Sequence, residues 1–171
     1  KGRRIMNQYE YHKDWGNVPY DNDACKKTLN EFVCGSPYPS SAKDMMQFGN
    51  TRISYKVFQQ ELDNASAAFF NLGVKENEIV FMFLLNTPQT VATLYAINNI
   101  GALSEWYNAS GMTVELMRHD LVENHIRFMV ICDVIYPLVK HAVSGTEIEK
   151  VIVIPVKGIF NSEVQDEFFI S

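Results

Sequence analysis

The spacing of apolar residues changes several times along the chain, and each change marks an element. Between Ser54 and Val74, Phe58, Leu62, Ala65, Phe69 and Leu72 recur at steps of three and four, which places them on one stripe of a helix. Ser54 stands where it can cap the start, and Gly73 where a left-handed residue can close the end, so that Val74 folds back onto Phe69. After a polar turn the segment IVFMFLL, Ile79 to Leu85, is apolar at every position. That pattern fits a parallel strand covered on both faces better than a half-exposed antiparallel one.

Asn86 and Thr87 are placed to cap the next helix, and Pro88 sits in a first turn where its missing N–H costs nothing. The helix runs to about Ile100 and Gly101 ends it. The alternation then repeats: strand ALSEWY, turn NASG, a helix from Thr113 to about Asn124, strand RFMVIC, a helix from about Tyr136 to Val143, and strand KVIVIP. Strands separated by helices predict an α/β fold, a doubly wound and mostly parallel sheet with flanking helices. Ahead of it, KDMMQFGNTRISY carries Met46 and Phe48 on one side of Gly49-Asn50 and Ile53 and Tyr55 on the other, a small β-hairpin. Residues 1–43 are polar, aromatic and turn-rich, with one short helix expected around Lys26 to Val33. They read as an N-terminal arm, and residues 44–171 as one α/β unit.

Composition narrows the function classes. A hydrophobic share of 47% rules out disorder of the whole chain. The net charge of −5 comes from mixed signs with no basic cluster beyond Arg3-Arg4 and Lys26-Lys27, so nothing recommends a nucleic-acid partner. Cys25, Cys34 and Cys132 form no Cys-x-x-Cys pair, and a cytoplasmic setting is the simplest expectation. The longest apolar run is far short of the roughly 20 residues that cross a bilayer, so no transmembrane segment is expected. The opening residues carry basic groups without the apolar core of a signal peptide. The chain starts on Lys and closes on VKGIFNSEVQDEFFIS without a terminating signal, so we expect the polypeptide to extend beyond it.

In an open parallel sheet the ligand crevice lies beyond the carboxyl ends of the strands, which nominates Asn86, Thr87, Asn108, Ser110, Cys132 and Asp133. Capping is the favoured role for Asn86, Thr87 and Asp133. Cys132 ends an apolar strand with no basic neighbour, so it reads as a buried, inert thiol. Trp106 and Tyr107 could stack on an aromatic ring, with core packing the default. Glu115, His119 and Glu123 share a helix face at spacings of four, favoured as a solvated face over a metal site. Neither G-x-G-x-x-G after a strand nor G-x-x-x-x-G-K-[ST] is present, which counts against a Rossmann or Walker-type nucleotide site.

The run from Ile53 to Asp133 resembles the N-terminal region of the adenylate-forming, AMP-binding superfamily. The matching residues are Ile53-Ser54-Tyr55, Leu72-Gly73-Val74, Asn86, Gly101-Ala102, the helix start Thr113-x-Glu115-Leu116, and Asp133, in that order, and the likeness covers about residues 45–155. The chain departs from the pattern at Asn77-Glu78, where the family usually has Gly-Asp, and at Glu105-Trp106-Tyr107-Asn108, where it often has Pro-Leu-Asn-Pro. The resemblance implies an acyl-CoA synthetase-like ligase that uses ATP, Mg2+ and CoA on a small-molecule carboxylate. It also implies that the catalytic motifs lie downstream in further subdomains, so no catalytic, cofactor-binding or metal residue is carried over to any position here. This piece alone is then expected to be inactive. A stand-alone α/β binding or signalling module, and a catalytically dead adenylation-fold protein, are the rival readings.

Overall fold

A computed structural model describes residues 26–34, 43–107 and 111–155. The expected arm therefore lies mostly outside the described residues, as do Asn108, Ser110 and the segment 156–171. Within residues 26–34 the chain forms helix α1, Leu29–Cys34. Thr28 and Glu31 cap it reciprocally: the Thr28 hydroxyl accepts from the Glu31 N–H at 3.2 Å and the Glu31 carboxylate accepts from the Thr28 N–H at 2.8 Å. The Leu29 N–H also donates to the Asn98 side chain at 2.7 Å, which ties α1 to the helix that follows the first sheet strand.

Strands β1 (Asp44–Phe48) and β2 (Thr51–Ser54) form the expected antiparallel hairpin, with Phe48 opposite Thr51 and Met46 opposite Ile53. Gly49 supplies the positive φ of 57° that turns the chain. Helix α2, Tyr55–Leu72, is capped as the sequence predicts. Ser54 Oγ accepts from the Val57 N–H at 3.3 Å, and Gly73 closes the helix at φ 91°. Val74 then folds back, its N–H donating to the Phe69 carbonyl at 3.2 Å. Phe58, Leu62, Ala65 and Phe69 are buried.

A four-stranded sheet follows, built from β3 (Ile79–Phe83), β4 (Leu103–Trp106), β5 (Phe128–Cys132) and β6 (Lys150–Ile154). Its strand order is β4-β3-β5-β6 and every pairing is parallel. The connecting helices are α3 (Pro88–Asn99), α4 (Val114–Glu123) and α5 (Tyr136–Ala142), with a 3-10 turn at Asp133–Ile135 ahead of α5. The all-apolar strands serve two cores at once. Val80, Met82, Phe128 and Val130 face α2 and α3, whereas Phe81, Phe83, Met129 and Ile131 face α4 and α5. This is the two-sided burial that the unbroken apolar run of β3 predicts.

The departures at Asn77-Glu78 have local causes. Asn77 takes φ 62°, a left-handed conformation that Asn tolerates better than other residues with a side chain, so it stands in for a glycine. Glu78 accepts the Lys75 N–H at 2.9 Å and pairs with Arg127 at 2.7 Å. Arg127 also grips Glu149 through two bonds of 2.8 and 2.9 Å. One guanidinium thus ties the entries of the three adjacent strands β3, β5 and β6.

Candidate functional site: the carboxyl end of the sheet

From β3 the chain moves to β4 on one side, then crosses back to β5 on the other. Helix α3 lies on one face and α5 on the opposite one, so the carboxyl ends of β3 and β5 flank a topological switch point, where open α/β sheets bind ligands. Leu84, Leu85 and Asn86 leave β3 there, and Asp133 to Tyr136 leave β5. Leu85, Val134 and Tyr136 are exposed apolar residues at this edge.

Beside the switch point a groove of about 320 Å³ opens between the hairpin, the start of α3 and the end of β4. Met46, Phe48, Pro88, Val91 and Trp106 supply its apolar walls, and Gln47, Asn86, Thr87 and Thr90 its polar atoms. Two sequence candidates, Asn86 and Thr87, therefore meet here with Trp106. The hairpin contribution was missed because strand-end reasoning looks only at the sheet; the apolar Met46 and Phe48 beside a tight turn were the available signal.

The groove's hydroxyls are already engaged. Thr87 is the N-cap of α3, its Oγ accepting from the Thr90 N–H at 3.3 Å and lying 3.0 Å from the Thr90 hydroxyl. Thr90 in turn donates its hydroxyl proton to the Leu85 carbonyl. These bonds fix the strand-to-helix bend, and both threonines are buried. The capping expectation thus holds for Thr87, while Asn86 precedes the cap and lines the groove.

The other candidates are dispersed. Cys132 is 2% exposed, and burial pushes its thiol pKa up, with the negative charge of Asp133 acting in the same direction. Asp133 opens the 3-10 turn that leads into α5. Trp106 is 44% exposed instead of packed in the core: it ends β4, the edge strand of the described sheet, and forms one wall of the open groove beside the hairpin. Tyr107 behaves as expected, stacking on Phe81 with ring centroids 4.5 Å apart, and burial together with Asp120 and Glu105 raises its pKa. Glu115, His119 and Glu123 are exposed on α4. No group of three His, Cys, Asp or Glu side chains among the described residues could hold a metal ion.

A nucleotide triphosphate requires anion-binding donors and metal ligands. No lysine, arginine or carboxylate lines the groove, its hydroxyls are committed, and Pro88 removes an N–H from the first turn of α3. The groove therefore does not fit a nucleotide triphosphate or its magnesium.

Comparison with known proteins gives the frame that this geometry lacks. The family model for AMP-binding enzymes matches residues 37–167, and the chain belongs to that family. No curated protein matches the sequence significantly. An anthranilate CoA ligase solved with anthranoyl-AMP is 17% identical, with a TM-score of 0.65 over 80% of this chain and 26% of its own. A benzoate CoA ligase from Burkholderia xenovorans is 17% identical, with a TM-score of 0.60 over 66% of this chain and 23% of its own. A long-chain fatty-acid CoA ligase from Archaeoglobus fulgidus is 19% identical, with a TM-score of 0.57 over 77% of this chain and 27% of its own. At such identities the likeness is one of fold. The chain spans about a quarter of the length of these three structures. No helix among the described residues is long and apolar enough to cross a membrane.

Proposed function

We propose that this chain is the N-terminal part of an ATP-dependent acid–thiol ligase of the acyl-CoA synthetase kind. The full protein converts a carboxylate and ATP, with Mg2+, into an acyl-adenylate and pyrophosphate, and then passes the acyl group to CoA. Residues 44–171 form its first α/β subdomain, residues 1–43 an arm, and the enzyme works in the cytoplasm, in fatty-acid or related carboxylate metabolism. The observation that carries this reading is the AMP-binding family match over residues 37–167. The three ligases that share its fold are an anthranilate, a benzoate and a long-chain fatty-acid CoA ligase, which supports an organic carboxylate as the substrate class.

The 171-residue chain alone neither adenylates nor binds ATP tightly. Support for this reading comes from a groove lined by no cation and a helix start whose hydroxyls are already bonded. Two measurements test the two halves of the proposal. Carboxylate-dependent ATP–pyrophosphate exchange, run with benzoate, octanoate and hexadecanoate, is expected for the protein of the full reading frame; no exchange with any carboxylate would remove the ligase assignment in favour of a binding or interaction role. Calorimetric titration of the 171-residue chain with ATP and magnesium is expected to give no saturable signal, and micromolar binding would overturn its inactivity.

A further inference from the structure

We draw no further inference here: the strongest candidate, the uncharged apolar groove between the β1–β2 hairpin, the start of α3 and Trp106 at the end of β4, is an open face for which nothing in the structure shows what covers it.

Discussion

Single residues at the helix ends hold the largest testable consequences for local structure. Ser54 and Thr87 each satisfy a backbone N–H that an alanine would leave unbonded within the protein. Ser54→Ala is expected to lower unfolding stability by about 1 kcal/mol in urea titrations. Thr87→Ala is expected to cost more than Ser54→Ala, since Thr87 is buried and also engages the Thr90 hydroxyl, whereas Ser54 is half-buried. Gly73 and Gly101 both need positive φ, at 91° and 78°, and alanine at either is expected to cost about 1–2 kcal/mol from backbone strain alone. A Cβ at Gly73 meets nothing, but at Gly101 it falls 2.9 Å from the Glu76 Cγ. Gly101→Ala is therefore expected to be the more damaging change, with the excess removed when Glu76→Ala is added; equal costs in both backgrounds would mean that Glu76 simply swings aside. Ser54 and Gly73 were legible because caps are local grammar. The Thr28-x-x-Glu31 capping box was equally local and went unread, because the helix it opens, Leu29–Cys34, is too short for its apolar residues to repeat as a stripe.

Across elements, the bond pattern at the amino end of the sheet sets a pH dependence with opposed signs. Arg127 holds the Glu149 carboxyl below the usual carboxylate range, first through its hydrogen bonds to that carboxylate. The contribution of Glu149 to stability is therefore present above its unfolded pKa and lost as pH falls through the folded one. His125 is the opposite case. It lies 2.8 Å from Glu147, which raises its pKa, so its contribution is full below the unfolded value near 6.5 and is lost as pH rises through the folded value. Comparing urea midpoints across pH, Glu149→Gln is expected to flatten the fall in stability on acidification. His125→Gln is expected to flatten the decline above neutrality, by a smaller amount because the histidine is 75% exposed and salt screens the pair. Identical profiles for the wild type and both variants would show that these pairs are ornaments of the surface. None of this network was readable in advance, since Glu78, Arg127 and Glu149 are far apart in sequence and meet only once β3, β5 and β6 have taken their places.

At the scale of the whole molecule, the chain's alternation of helix and strand made the α/β class and the parallel sheet legible, and the unbroken apolar runs announced that both faces are covered. Strand order was not legible: no local pattern states that β5 lands beside β3 and leaves β4 at the edge, and that placement exposes Trp106 and forms the groove with the hairpin. The same order has an energetic consequence. Strands β3 and β5 lie at the centre of the sheet and send alternate side chains into the two cores, so neither core can be lost while the other keeps its strands. Met129 and Val130 are adjacent on β5, both fully buried, and face opposite layers. Met129→Ala is expected to cost about 2–5 kcal/mol, and Val130→Ala is expected to destabilise through the same loss of packing by a smaller amount, because less volume is removed. Each is expected to shift one common transition, with far-UV circular dichroism, reporting helices and strands, and near-UV circular dichroism, reporting aromatic packing, remaining superimposable. Two separated transitions in either variant would mean that the layers unfold independently, and that the central strands couple them less tightly than their alternating side chains require.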